Sequence, residues 1–164
     1  MAYLSKKYKE SWDRGQKLES SFFEVLKRFD PKCRKSTREE QFRHIDFVSQ
    51  SLGSFDVKAR KRINRSDKSE QDELIWIEFK NVAGNNGWLY GQADYIAFEQ
   101  SDHFVVVERK HLVGLAESKC NLKQIVDNSS KALYHGYSRK DRKDLISIIK
   151  MSDIKQLPIQ IYKK

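Results

Sequence analysis

Two short segments of alternating polarity flank a turn-like stretch, and they constrain the fold more than any other feature of the chain. Residues 44–48 read His-Ile-Asp-Phe-Val, and residues 54–59 read Ser-Phe-Asp-Val-Lys-Ala. Because successive side chains of a strand point to opposite faces of a sheet, this pattern predicts a hairpin with one apolar and one polar face. The polar face would carry four ionisable side chains, those of His44, Asp46, Asp56 and Lys58.

The same hairpin predicts that two acids meet. With a turn centred near Ser51, Asp46 lies directly opposite Asp56 on the neighbouring strand. Two like charges in that position repel each other, so we expect a positive group between them. A divalent metal ion is the obvious candidate for that group.

Composition sets the size of the fold and the class of its partner. At 164 residues with 38% hydrophobic content, the chain is long enough for a single domain spanning residues 1–164. The net charge of +9 favours a polyanionic partner, and nucleic acid is the first candidate. The alternative is that the basic excess only keeps the protein in solution.

The sequence lacks the signals of membrane insertion and secretion. No apolar run approaches the length of a membrane span, so we expect no membrane partner and a cytoplasmic location. Cys33 and Cys120 stand far apart without a CxxC motif or a suitably spaced histidine. They are therefore expected to be reduced structural thiols.

Periodicity predicts the remaining elements. The three- and four-residue spacing of apolar residues in 11–29 predicts an amphipathic helix that ends at Asp30-Pro31, followed by a polar connector over 31–40. Five strands are expected in one sheet, at 44–48, 54–63, 74–82, 88–98 and 103–108, with a linker at 64–73. Further helices are expected after Arg109 and from about Asp141, before a closing edge strand at 157–162. The predicted class is α/β (α+β), a central mixed, largely antiparallel sheet flanked by helices.

Glu19 is the unusual acid of the first helix. It lies in line with Phe23 and Leu26 at the edge of the apolar stripe. The alternative to a functional role is a surface ion pair, which is the common fate of a helical glutamate.

Taken together, these acids carry a family resemblance. A helix with Glu19, then Asp46, then Asp56-Val57-Lys58 resembles the PD-(D/E)xK nuclease superfamily, and Gly15 with Glu19 is similar to the Gly-xxx-Glu helix of its Holliday junction resolvase-like branches. The resemblance implies a restriction-endonuclease-like core and a resolvase-like or phage-type endonuclease acting on DNA. Because Holliday junction enzymes work as dimers, it also implies a homodimer.

The chemistry of phosphodiester cleavage requires the same residue types. Mg²⁺, with Mn²⁺ as a substitute, prefers carboxylate ligands, and we expect Asp46, Asp56 and Glu19 to bind it. Lys58 is expected to be the catalytic lysine, which would orient or deprotonate the attacking water and offset transition-state charge.

A second acid-x-Lys pattern competes with the first. Glu78-Phe79-Lys80 has the same parity on a predicted strand, and with it Asp56 would act as the upstream acid. Glu78 is therefore a further catalytic candidate, beside Lys58 if the two strands are neighbours. The alternative for Glu78 and Lys80 is a cross-strand ion pair.

Basic residues surround the predicted site. The candidates for contacts to DNA phosphates are Arg60, Lys61, Arg62, Lys35 and Arg38, and Arg65 belongs to the same basic run. An edge strand protected by charge is the alternative for the run from Arg60 to Arg65. Trp88 and Tyr90 could stack on bases and His44 could contact phosphate or metal, but packing roles are expected for all three. Gln92 and Asp94 are expected to support the site, with a turn as the alternative for Asp94.

Three functions follow from these patterns. The first is a Mg²⁺-dependent endodeoxyribonuclease. The second is a non-catalytic basic nucleic-acid-binding module with the same fold, and the third is a factor whose basic surface meets an acidic protein.

Overall fold

The computed structural model describes residues 2–62 and 69–164. Its helices and strands are, in chain order, α1 (Ala2–Phe29), β1 (Arg34–Lys35), α2 (Arg38–Phe42), β2 (Phe47–Ser49), β3 (Gly53–Lys58), β4 (Lys61–Arg62), β5 (Glu70–Gln71), β6 (Leu74–Lys80), β7 (Tyr95–Glu99), β8 (His103–Glu108), α3 (Arg109–Lys119), β9 (Asn121–Val126), β10 (His135–Tyr137), β11 (Leu145–Lys150), α4 (Met151–Ile154) and β12 (Ile159–Lys163). Two 3₁₀ turns cover Trp88–Tyr90 and Ser129–Lys131. None of the helices in the described residues is both long and apolar enough to cross a membrane.

A six-stranded sheet forms the centre of the fold. Its strand order is β1-β2-β3-β7-β8-β12, and β3 and β7 form its parallel pair while the other neighbours are antiparallel. A four-stranded sheet has the order β6-β11-β10-β9, and β4 and β5 form a short ribbon. The predicted α+β class, with a large mixed and mostly antiparallel sheet flanked by helices, is confirmed.

The central strands β7 and β8 are covered on both faces. Alternate residues of β8 divide between two apolar clusters, with Phe104 and Val106 in one and Val105 and Val107 in the other. The first cluster includes the buried side chains of α1, and the second includes those of β6, β11 and α3. The six-stranded sheet is therefore packed between α1 and a layer made of the second sheet and α3.

Helix α1 forms as the periodicity predicts and begins earlier in the chain. Leu18, Phe22, Val25 and Leu26 are buried, and the Phe22 ring lies 5.0 Å from that of Phe104 and 5.5 Å from that of Phe55. The helix ends before Asp30, whose carboxylate accepts hydrogen bonds from Lys32 N and Ser49 Oγ. This junction holds the helix against β2, beside the predicted hairpin.

The prediction of one sheet containing all five strands is wrong. Strand β6 pairs with β11 and lies in the second sheet. The edge of β3 that it was expected to occupy is taken by β7, with Asp56 opposite Ile96. The physical reason is burial, because Ile75, Ile77 and Phe79 of β6 pack against the face of the central sheet rather than beside β3.

Two further element predictions are wrong because periodicity failed as a signal. Residues 88–98 form a 3₁₀ turn followed by β7, and Trp88 and Leu89 are both buried, so burial does not alternate there. Residues 145–150 form strand β11 rather than a helix. Its residues 146–149 are all buried, so the strand is covered on both faces. The apolar residues on either side of the buried Ser147 therefore do not follow the alternation of a half-exposed strand.

The remaining predictions concern single elements of the fold. The helix after Arg109 is confirmed as α3, and the closing edge strand is confirmed as β12 beside β8. The polar connector contains β1 and α2, the latter capped by Thr37. The predicted strand over 54–63 is wrong in its second half, because β3 ends at Lys58 and Lys61–Arg62 pair with β5 of the predicted linker. Ile63 and the linker positions 64–68, which include Arg65, lie outside the described residues.

Candidate functional site

The hairpin register brings Asp46 beside Asp56. Phe47 pairs with Phe55, and the Asp46 N–H donates to the Phe55 carbonyl over 2.8 Å. The Asp46 carboxylate accepts a second hydrogen bond, from Val57 N at 2.8 Å. The predicted placement of the two acids is thus confirmed, and it is held by one backbone bond to Phe55 and one bond from the Val57 N–H to the Asp46 side chain.

Asp56 is a buried carboxylate with incomplete hydrogen bonding. Its residue surface is 2% exposed, and its Oδ1 lies 2.7 Å from the Lys58 ammonium. Its Oδ2 is buried and has no hydrogen-bond partner among the described residues. Burial, helped by the charge of Asp46, raises the pKa of Asp56 to about 7 despite the opposing effect of Lys58.

Lys58 lies between the buried acid and an aromatic ring. Its ammonium sits 4.9 Å from the centre of the Trp88 ring. Trp88 is itself held by a hydrogen bond from its backbone N–H to Glu78 Oε1 at 3.2 Å. A Cβ on Gly87 would come within 2.4 Å of the Glu78 carbonyl oxygen, so glycine is required for this close approach. Sequence reasoning missed the contribution of Trp88, and the flanking Gly87 and Gly91 are the signal that pointed to it.

His44 does not belong to a strand, in contrast to the prediction. Its φ of 59° is left-handed, and β2 begins three residues later. The side chain is partly buried, and burial together with Lys58 lowers its pKa, while Glu78 and Asp46 act in the other direction. His44 is therefore within electrostatic reach of three site residues, Lys58, Glu78 and Asp46. It lies against Gly91, where an added Cβ would come within 2.7 Å of the His44 Cβ.

Glu19 faces the hairpin from α1. It is partly buried, and burial, followed by the charge of Asp46, raises its pKa, while Lys35 lowers it. A Cβ built on Gly15, one helical turn earlier, meets nothing within 4 Å. The helix thus presents Glu19 toward Asp46 beside an open surface.

The competing Glu78-Phe79-Lys80 pattern has the predicted parity in a different location. Phe79 is buried, Glu78 is partly buried and Lys80 is exposed, but β6 is not a neighbour of β3. Glu78 reaches the site through Trp88 and His44. The backbone of Lys80 pairs with Asn86 and Leu145 instead.

Asp94 supports the hairpin from β7's side. Its carboxylate accepts hydrogen bonds from Ser54 N at 2.9 Å and from Ser54 Oγ at 3.1 Å. A Cβ added to Gly53, whose φ is +112°, would come within 2.8 Å of the same carboxylate. Asp94 therefore fixes the start of β3, while Gln92 is exposed.

A divalent cation matches the chemistry of the paired acids. Asp46 and Asp56 supply hard oxygen donors, and the unpartnered Asp56 Oδ2 is the kind of buried atom that a cation would satisfy. Within residues 2–62 and 69–164, however, no three His, Cys, Asp or Glu side chains are arranged as a ready-made metal site. The carboxylate pair is assembled, and the participation of Glu19 stays a prediction.

The predicted DNA-contacting residues fall into two groups. Arg60 is paired with Asp72 at 2.6 Å and with Glu70 at 3.3 Å. Lys61 lies 5.2 Å from the centre of the Trp76 ring, and Arg62 Nε is buried without a partner among the described residues. Lys35 and Arg38 are exposed to solvent.

A pocket opens beside the lysine of the site. It is lined by Lys58, Ala59, Lys61, Ile75, Trp76, Trp88 and Phe98. Its walls are aromatic and its charged groups are cationic, so Lys58 is accessible from an electropositive recess.

No protein-family model, curated protein or solved structure matches the chain.

Proposed function

We propose that this protein is a metal-dependent endonuclease that hydrolyses DNA phosphodiester bonds. The observation that carries the proposal is the buried Asp56, placed opposite Asp46, paired with Lys58 and left with one unpartnered carboxylate oxygen. Hydrolysis of a phosphodiester needs carboxylates for a divalent ion and a cation near the phosphoryl oxygens. These groups meet at one hairpin.

The energetics of Asp56 favour a functional over a structural role. A buried carboxylate without full hydrogen bonding destabilises the folded state, and an apolar side chain at this strand position would remove that cost. Strongly perturbed acids with a specific charged partner are typical of functional sites. The raised pKa of Asp56, to about 7, is such a perturbation.

We assign the same roles that the sequence led us to expect. Asp46 and Asp56 would hold Mg²⁺ or Mn²⁺, and Glu19 would contribute a third carboxylate. When bound, the ion supplies Lewis-acid stabilisation of the phosphate and a more acidic water. Lys58 donates to the phosphoryl oxygens and offsets their developing charge, and the Trp88 ring limits where its ammonium can lie. Glu78 acts as a positioning residue, because it holds the Trp88 backbone.

Substrate binding depends on the positive surface around the hairpin. Lys35 and Arg38 are exposed on the segment that precedes β2, so they are suited to contact the phosphate backbone without reading bases. Such contacts favour a structure-selective enzyme, in keeping with the resolvase-like resemblance within the PD-(D/E)xK superfamily.

The decisive experiment separates cleavage from binding. Asp56→Ala and Lys58→Ala are each expected to reduce the cleavage rate by roughly 10²-fold or more, while salt-sensitive DNA binding is retained. The matched control is Asp127→Ala and Lys131→Ala, which removes another acid–lysine pair, 3.1 Å apart and exposed. If the Asp56 and Lys58 variants cut as fast as the parent protein, the assigned site is wrong.

The second candidate is a non-catalytic nucleic-acid-binding module. The absence of a preassembled three-ligand group in the described residues favours it. Calorimetric titration with Mn²⁺ distinguishes the two functions, because the nuclease binds the ion and Asp56→Asn abolishes that binding. A protein that binds DNA without binding Mn²⁺ or cutting the strand is the module.

A further inference from the structure

The N-terminal half of α1 carries two large aromatic side chains in solvent. Tyr8 is 82% exposed and Trp12 is 67% exposed. They are four residues apart, so they are neighbours on the helix surface. Exposed aromatic groups that lie next to each other mark interaction surfaces more often than isolated ones do.

This aromatic pair lies on the same side of the helix as the candidate site. With 3.6 residues per turn, positions 8, 12 and 19 fall within about 40° of one another around the axis. With a rise of 1.5 Å per residue, Trp12 lies roughly 10 Å and Tyr8 roughly 17 Å along the axis from Glu19. Tyr8 and Trp12, which we call the aromatic row, therefore lead from the N-terminal part of the helix toward Glu19, the acid that faces Asp46.

The surface between Trp12 and Glu19 is open. Gly15 occupies it, and an added Cβ there would meet nothing within 4 Å. Packing therefore does not require a glycine, although glycine in a helix interior is less stable than alanine. An unobstructed surface at this position lets a ligand lie along the helix as far as Glu19.

Charge identifies the occupant of the row. Residues 6–17 contain five basic residues and two acidic ones: Lys6, Lys7, Lys9, Arg14 and Lys17 against Glu10 and Asp13. Arg14 pairs with Glu70 of β5 at 2.7 Å and donates to the carbonyl of Arg60, the residue before β4, which fixes this part of the helix. A second copy of the same basic helix would be repelled, whereas a polyanion is attracted.

We propose that this aromatic row binds an unpaired segment of DNA by base stacking and leads it to the cleavage site, an inference that rests on the proposed nuclease function. The two rings are separated by roughly 6 Å along the helix. Stacked bases of a duplex rise by about 3.4 Å. Adjacent bases can therefore each meet a ring only in an extended single strand, and the enzyme selects junctions, flaps or gaps.

The test measures binding in the full-length protein with a chelator present. Fluorescence anisotropy would follow a labelled oligothymidylate and a blunt duplex. Combining Tyr8→Leu with Trp12→Leu is expected to weaken single-strand binding by roughly tenfold or more, since each stacked base contributes substantially to affinity. The duplex, which has no unpaired bases, should lose far less.

Conservative variants serve as the matched control. Tyr8→Phe with Trp12→Phe retains aromatic faces and should bind the single strand nearly as well as the parent protein. Leucine is a better helix former than tryptophan or tyrosine, so unfolding of α1 does not account for a loss seen only with leucine. Equal single-strand binding by the leucine and phenylalanine variants would overturn the inference.

Sedimentation gives a second route to refutation. If the parent protein is a dimer that the leucine variants dissociate, and their single-strand affinity is unchanged, a second copy covers the row and the inference is wrong. Because binding is measured without metal, it does not depend on cleavage. A protein that shows the aromatic dependence but never cuts DNA would refute the nuclease and leave the stacking row in place.

Discussion

Asp56 combines nearly complete burial with a charged state that folding disfavours. Its carboxylate meets the Lys58 ammonium at Oδ1, and its pKa is raised to about 7 by burial and by Asp46. Because the pKa of Asp56 is higher in the folded protein than in the unfolded chain, the folded protein binds this proton more tightly. This contribution to stability is complete below the unfolded pKa of about 3.9 and is lost as the pH rises through about 7.

We therefore expect pH to change the stability difference between the parent protein and Asp56→Asn. In the absence of metal, the asparagine variant should gain free energy of unfolding relative to the parent as the pH rises from about 5 to about 8. Urea denaturation in a chelating buffer measures this difference at each pH. A difference that stays constant over this range would show that Asp56 titrates normally in the folded protein.

At the scale of elements, the 3₁₀ turn Trp88–Tyr90 joins the two sheets at the site. Its N-terminal neighbour Gly87 contacts the backbone of Glu78 in β6, and Trp88 lies under Lys58 of β3. The position of the lysine therefore depends on a backbone contact in the other sheet. Because the sequence predicted a strand over residues 88–98, it could not show that the position of Lys58 depends on this turn.

Gly87→Ala is expected to destabilise the protein by about 1–3 kcal/mol, because the added methyl group would overlap the Glu78 backbone. It should also lower the cleavage rate by displacing Trp88 from Lys58. The matched control is Gly114→Ala in α3, where an added Cβ meets nothing within 4 Å, and it should stabilise by about 0.5–1 kcal/mol. Thermal unfolding compares the two variants, and an equal response from both would contradict the proposed contact.

At the scale of the whole molecule, the basic side chains behind the net charge of +9 differ in their surroundings, because some form ion pairs and others are exposed. Arg60 forms ion pairs with Asp72 and Glu70. Arg38 is exposed, with its guanidinium carbon 6.0 Å from the centre of the Phe42 ring in α2. The basic positions read from the sequence are thus of two kinds, one that supports the fold and one that is available to a polyanion.

Salt dependence of DNA binding should separate these two kinds of arginine. The logarithm of the binding constant is expected to fall linearly with the logarithm of salt concentration, and Arg38→Ala should reduce that slope by about 1. Arg60→Ala should lower the unfolding temperature instead, because Asp72 loses its salt bridge and Glu70 keeps only its pair with Arg14. Binding titrations over a series of salt concentrations and thermal melts measure both effects. An unchanged slope for Arg38→Ala would remove this residue from the proposed DNA surface.

Local patterns in the sequence determined the parts of the fold that depend on nearby residues. The three- and four-residue spacing of Leu18, Phe22, Val25 and Leu26 predicted α1 and its buried face. Alternation on both sides of Ser51 predicted that Asp46 faces Asp56, because a short turn fixes the register of a hairpin. Periodicities of 3.6 and 2 are properties of the backbone and can be read without knowing the surroundings.

Tertiary structure alone decided which strand lies beside β3 and how burial shifts the pKa of Asp56. The choice of β7 over β6 depends on long-range packing. The sequence Leu-Ile-Ser-Ile-Ile of β11 fits a helix and a doubly covered strand equally well. The pKa of Asp56 likewise follows from desolvation by the packed sheet, and the position of Lys58 follows from Trp88 in a distant turn. Residue type and spacing thus select the groups of the site, while burial and strand order, which arise only when the layers pack, determine their charge state and contacts.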